Sequence, residues 1–533
     1  MTRGRQPHVS SKGLRCLILF VVLAGLADIP FCITPCSFTT TVECALKIPS
    51  YEIALVVGDL QSVDLGGRVV VLAEAPYIDA AVKEFEDLPA LLAETEAYLT
   101  PYIWGNYSII VMPPSFAWGG MEHVNANQVS HTLLAGDKSM LGTAIHEITH
   151  SWFGNDVGCK NWNHFWINEG VNVFMERKIL ASYFGEEYAK IDYYTGNSSM
   201  YYDEFIGRYG LNNSYSSLFP DIGDDDPENS FSIVPYEKGS QFMLHIETLL
   251  GDAGMQAMLR AYIGHFTQQA IDEDQFQTWY EGWVTENFPE NATDIIDMTL
   301  WDVWVHEPGN GPVVVDIHTT ALDDAESLAL EYLTLNTTGS PALMGDFDGY
   351  YQSQKQAFIQ KLSESGETTV PLMAHIDEDL NIIGAFNPYV KTEWFRLGIR
   401  VGYEAVLEPT YMWLGEQGRS AYVRPIFDDL IDHGYCDTAK EWFEEYQPSY
   451  NSYVANRVAT ALERCDDPSD AALESTPTNE TSSVAIPGDE EEEEEMLTER
   501  ETPADTVEEH VSAAWMPGFK SAVLVVVLSF FCM

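Results

Sequence analysis

His146-Glu147-Ile148-Thr149-His150, followed after eighteen residues by Glu169 within Phe165-Trp166-Ile167-Asn168-Glu169-Gly170, is the stretch from which the rest of the chain is read. Two histidines four apart on a helix share one face, close enough to grip a single metal ion. Glu169 would supply a third, acidic ligand. Three protein ligands leave one position of a tetrahedral zinc open, which a catalytic site needs and a structural site does not. Glu147 falls beside the pair, where its carboxylate can take a proton from an attacking water. A surface helix that happens to carry two histidines and a glutamate is the competing reading of the pentapeptide alone. The carboxylate that follows tips the choice to zinc, one ion per chain.

Further stretches point the same way. Gly119-Gly120-Met121-Glu122-His123 lies upstream and Val234-Pro235-Tyr236-Glu237-Lys238-Gly239 downstream. With His146 to Asp156 (HEITHSWFGND) and His164 to Gly170 (HFWINEG), this set resembles the gluzincin zinc aminopeptidases of the aminopeptidase N superfamily. Within that group it is most similar to the branch holding leukotriene epoxide hydrolase and aminopeptidase B. The similarity runs from about Ile48 to about Arg464, through Gly418-Arg419-Ser420 and Arg424-Pro425-Ile426-Phe427. It implies an α+β thermolysin-like catalytic domain followed by an all-α helical-repeat domain. His146, His150 and Glu169 would bind zinc, and Glu147 would act as general base and then acid. Glu122 would hold the substrate's free amine, while Gly119, Gly120 and Met121 let backbone run beside an extended peptide. Tyr236 would donate to the developing oxyanion, and Trp118 would wall the pocket. His123 departs from the family's asparagine and introduces a group that titrates near neutrality.

The branch contains a second activity, hydrolysis of a lipid epoxide, which is the alternative reading. That activity goes with an aspartate and a tyrosine ahead of the V-P-Y-E-K-G motif; the aligned residues here are Glu228 and Phe231. Basic residues that hold the lipid's carboxylate are replaced by Lys391-Thr392-Glu393, and a glutamate there opposes an acidic lipid. Peptide hydrolysis is therefore the main expectation. A surface binding protein with a dead site fits poorly with a complete ligand set.

Composition narrows the partners. The chain has 82 acidic and 27 basic residues in 533, a formal charge of −55. Asp466 to His510 holds seventeen acids and one arginine, which leaves −39 on the remainder. Nucleic acid and anionic membranes are poor partners for such a surface, whereas cationic peptides are drawn to it. The charge also serves plain solubility. Eight cysteines in a chain this long do not make a disulfide scaffold. Cys436 and Cys465 are placed to pair between neighbouring helices, as are some of Cys32, Cys36 and Cys44.

Several segments are set apart by composition. Residues 1–27, with Arg3, Arg5, Lys12 and Arg15 before the apolar run Cys16 to Ala27, read as a signal peptide, with a signal-anchor as runner-up. Sequons at Asn106, Asn197, Asn212, Asn291, Asn336 and Asn479 agree with the secretory pathway and an extracellular or cell-surface location. A connector (28–50) leads to the catalytic domain (51–305), a linker (306–320) centred on Glu307-Pro308-Gly309-Asn310-Gly311-Pro312, and the helical domain (321–465). An acidic stalk (466–512) follows, too poor in apolar residues to fold. The tail (513–533) reads as a glycolipid-anchor signal or a retained hydrophobic end, and either would attach the protein to a membrane. Relatives carry a β-rich N-terminal domain before the stretch matching Ile53-Ala54-Leu55-Val56-Val57-Gly58. It is expected to be missing here, through true loss or a longer natural transcript.

Overall fold

A computed structural model describes residues 19–22, 46–223, 225–314 and 316–466. Apart from a few residues at their edges, the expected signal, connector, stalk and tail lie outside these residues, as do Cys32, Cys36, Cys44 and Asn479. Within the first of those segments, Leu19–Val22 forms a strand parallel to Leu55–Gly58.

β-Branched runs such as Val69-Val70-Val71 and Ile109-Ile110-Val111 build the centre of a five-stranded sheet. Leu60–Gly66 pairs antiparallel with Val69–Glu74, which runs parallel to Tyr107–Met112 and then to Asn127–Ser130. The two-residue strand Gly120–Met121 closes the order, antiparallel to Asn127–Ser130. Val71, Ala73 and Ile109 face the main core, while Ile110 and Met112 face a smaller one with Val56, Phe116 and Ala126. Both faces are covered, as apolar parallel strands demand.

Helices carry the rest of the catalytic half. Between Ile78 and Tyr98 the chain forms two helices, Ile78–Glu84 and Leu88–Tyr98, because Pro89 lacks an amide proton and fits only the first turn of a new helix. The helix bearing the histidine pair spans Leu141–Thr149; Gly136 and Lys138 just before it both have left-handed φ, which keeps the helix from starting earlier. His150 caps its end. Trp166–Phe184 and Val234–Leu250 follow, and each stops at a glycine of positive φ, Gly185 and Gly251.

Those two long helices touch backbone to backbone. A Cβ on Gly170 would stand 2.6 Å from the Gly239 Cα and 2.8 Å from the Pro235 carbonyl oxygen. Backbone cannot yield as a flexible side chain would. Gly170→Ala is expected to lower stability by about 1–3 kcal/mol through this overpacking, read as a lower urea midpoint at unchanged slope.

Beyond His306 the described chain is helical, with eight α-helices between Thr320–Leu335 and Ser452–Leu462. They enclose a second core around Tyr332, Phe358, Trp394 and Phe427. Trp394, Leu397 and Val401, at helical spacing on one face, turn towards that core, the first two buried and the third partly so. Cys436 and Cys465 form a disulfide across the last helices. The helical half also grips the catalytic half by backbone. The Gly418 amide donates to the Pro114 carbonyl and the Ser420 amide to the Ala117 carbonyl, each at 2.7 Å.

Candidate active site

His146 projects from the last turns of Leu141–Thr149, His150 from its cap, and Glu169 from the first turn of Trp166–Phe184. Their donor atoms all lie within 4.8 Å of one another. The two Nε2 atoms are 2.9 Å apart, and each is 3.3 Å from Glu169 Oε2. That oxygen is buried and has no hydrogen-bond partner among the described residues. Two imidazole nitrogens and an orphaned carboxylate oxygen converging on one point are the donor set of a three-ligand zinc site. Burial alone would push Glu169 up, but the two imidazoles outweigh it and hold the carboxyl at about 2. It is therefore ready as an anionic ligand.

The other ring nitrogens are already committed. His150 Nδ1 donates to the Phe153 carbonyl at 2.7 Å, and His146 Nδ1 meets Glu176 Oε2 at 2.9 Å. Donation from Nδ1 leaves the Nε2 lone pair for a metal. Glu176 was not among the residues expected from the sequence, yet it lies seven positions after Glu169 on the same helix, two turns along one face. Glu176→Gln is expected to weaken zinc binding about 10–100-fold, measured by competition with a chelating dye, with unchanged helix content. Asn172 adds a bond from Nδ2 to the His146 carbonyl at 3.0 Å, tying the two ligand helices together.

Glu147 and Glu122 stand beside the ligands, both buried. Glu122, Glu147 and His150 again place their donor atoms within 4.8 Å of one another. Burial raises the Glu147 carboxyl to about 8, against the pull of the imidazoles. A divalent cation among the three ligands would draw it down towards the range of a base working near neutrality. Gly120 runs so close that a Cβ there would collide with the Glu147 carboxylate. The Gly120–Met121 strand ends the sheet, and no described strand covers its outer edge. Such an edge can accept an extended peptide. His123 is corrected by the structure: burial pushes its imidazole down to about 4, so it is neutral at neutral pH.

Tyr236 enters from the first turn of Val234–Leu250, its ring stacked 6.1 Å from that of His146. Burial and the neighbouring Glu169 hold the phenol proton well above its usual range, so it remains a donor. The rest of its motif is structural. Arg177 clasps Glu237 through two bonds of 2.9 Å, and Lys238 donates to the Glu307 carbonyl at 2.7 Å. Trp118 packs against Phe116 and Tyr453, which seats it between the two halves of the chain.

Arg419 is a further residue to which the sequence assigned no role. Its guanidinium lies against Gly119 and donates to the Tyr389 and Tyr422 hydroxyls, both at 2.8 Å. It lies close enough to Glu147 for the carboxylate to favour its charged form. For the alternative reading, the Glu228 side chain is outside the described residues. Phe231 packs 6.4 Å from Tyr236, Lys391 lies over the Trp413 ring at 4.5 Å, and Glu393 pairs with Arg396 at 3.2 Å.

Comparison with known proteins agrees with this geometry. Residues 84–304 match the peptidase family M1 domain, and residues 350–462 match the leukotriene A4 hydrolase C-terminal domain. Residues 84–304 are thus a peptidase family M1 domain, of the zinc metallopeptidase kind, followed by a C-terminal domain of the leukotriene A4 hydrolase type. Among its relatives is leukotriene A-4 hydrolase of Xenopus laevis, 31% identical over 77% of this chain and 65% of that one. Leucine aminopeptidase 2 of Neosartorya fischeri is 29% identical over 76% and 65%. A solved structure of yeast LTA4 hydrolase in complex with bestatin superposes with a TM-score of 0.69 at 28% identity, covering 76% of this chain and 67% of that one. The chain spans about 65% of the length of the curated relatives it matches.

Proposed function

We propose that this protein is a zinc-dependent aminopeptidase that hydrolyses the N-terminal peptide bond of peptides. One observation carries the reading: the buried Glu122 carboxylate lies within 4.8 Å of Glu147 and the ligand His150. An enzyme that removes single N-terminal residues must hold an ammonium one residue away from the bond it breaks. A buried carboxylate beside the general base does that. Bound by His146, His150 and Glu169, zinc supplies a Lewis acid that activates water and polarises the substrate carbonyl. Glu147 removes the proton of the attacking water and delivers it to the departing amine. Tyr236 donates to the oxygen on which negative charge develops. Gly119, Gly120 and Met121 let the peptide backbone run alongside.

Two of the relatives are leukotriene A4 hydrolases, which makes hydrolysis of a lipid epoxide the second reading. Phe231 offers no hydrogen-bond donor beside Tyr236, so peptide hydrolysis ranks first. For location we favour the secretory pathway and the cell surface, with membrane attachment through the C-terminal tail. The Cys436–Cys465 disulfide suits an oxidising compartment, and the sequon residues Asn106, Asn212, Asn291 and Asn336 are exposed.

A panel of aminoacyl fluorogenic substrates, with and without a chelator, tests the proposal. Cleavage that stops with the chelator and returns with zinc is expected. Cleavage indifferent to the chelator, or none with any aminoacyl group, would refute it.

A further inference from the structure

Glu52 lies in a short helical turn before the sheet and is fully buried. No side chain donates to either of its carboxylate oxygens among the described residues, and the Val124 backbone amide is the donor that eases its burial. Leaving a buried acid unpaired is costly, and such groups call for an explanation. Its side chain is within hydrogen-bonding reach of Glu122, with Glu147 close enough to repel it. Among the described residues, His123 is the one basic group within ion-pairing distance, its Nδ1 3.8 Å from Glu52 Oε2. Burial keeps that imidazole neutral, so it offers no compensating charge. Two buried carboxyl groups therefore face each other beside the general base with no cation between them.

We propose that Glu52 is a substrate-binding carboxylate which, with Glu122, forms a two-carboxylate receptor for an ammonium group of the substrate. The inference rests on the aminopeptidase reading and adds to it a residue that no motif names. Without substrate, burial and Glu122 favour a proton on Glu52. An arriving ammonium provides the missing cation and donates to both carboxylates, and charge-assisted bonds of this kind are the strong ones. A purely structural acid would behave otherwise. As a neutral hydrogen-bonding group it would be replaced by glutamine without loss.

Glu52→Gln keeps the shape and the capacity to donate to Glu122 but removes the charge. The test measures calorimetric binding of leucinamide, lysinamide and the amine-free 4-methylpentanamide. Two zinc-loaded proteins are compared, Glu147→Gln and Glu52→Gln/Glu147→Gln, so that no ligand is consumed. Leucinamide is expected to bind the double variant about tenfold more weakly, while 4-methylpentanamide does not distinguish the two proteins. A loss confined to lysinamide would also support the receptor and assign it to the side-chain ammonium. Equal affinity of both amines for the two proteins would overturn the role of Glu52 and leave the aminopeptidase reading standing. If neither protein binds any amine while both unfold cooperatively, both readings fall. An unchanged or higher melting temperature in the double variant is expected, since a buried acid whose burial disfavours its ionised form has been removed.

Discussion

Glu147→Gln should lower kcat on aminoacyl substrates by about 10²–10⁴-fold while zinc content stays at one ion per chain. The geometry separates the two properties. Glu147 is not part of the three-residue cluster that would hold the ion, so its charge is not needed for binding zinc. What glutamine cannot do is accept a proton from water and return it to the leaving amine. The replacement is also nearly isosteric in a place with little tolerance, since the Gly120 backbone abuts the carboxylate. Loss of turnover with retained metal and an unchanged melting profile is the expected triad of results. Near-normal turnover in a fully loaded variant would show that proton transfer is handled elsewhere.

Tyr236→Phe should come next in size, with kcat reduced about 10²–10³-fold, the effect typical of removing one oxyanion donor. Its signature is a fall in kcat at nearly constant KM, because the bond forms with charge that exists only as the transition state is approached. The phenol proton is held well above its usual range, so the wild-type rate should show no alkaline decline from Tyr236 across ordinary working pH. Steady-state kinetics on one aminoacyl substrate over a pH series checks both points. A raised KM at unchanged kcat would make Tyr236 a ground-state contact instead.

The candidate site was legible where its residues are close in the chain. His146, Glu147 and His150 share one short helix, and Glu169 opens the next long one, so helical spacing alone brings them together. Glu176 could have been found by the same rule, two turns beyond Glu169, but glutamates at that spacing are common on surface helices. Glu52 and Arg419 could not. One comes from a turn before the sheet and the other from the helical half, and only the tertiary fold sets them against Glu122 and Gly119. The start of the histidine helix is hidden for a local reason: the left-handed φ of Lys138 belongs to a residue type that gives no warning of it. The Gly170–Gly239 contact was invisible for the converse reason. Each glycine sits inside a helical pattern, and only the crossing of two helices explains why neither carries a side chain.

The backbone bonds from Gly418 to Pro114 and from Ser420 to Ala117 give the two halves of the chain a shared thermodynamic fate. They fix the approach to Gly119 and Gly120, so the path of the peptide is shaped partly by a domain that contributes no metal ligand. Binding and domain docking are then linked equilibria. Whatever steadies the helical half against the catalytic half tightens the hold on peptide, and bound peptide must steady the docking by the same free energy. Affinity for substrate therefore becomes a property of the assembled pair, while the zinc ligands remain the property of one partner.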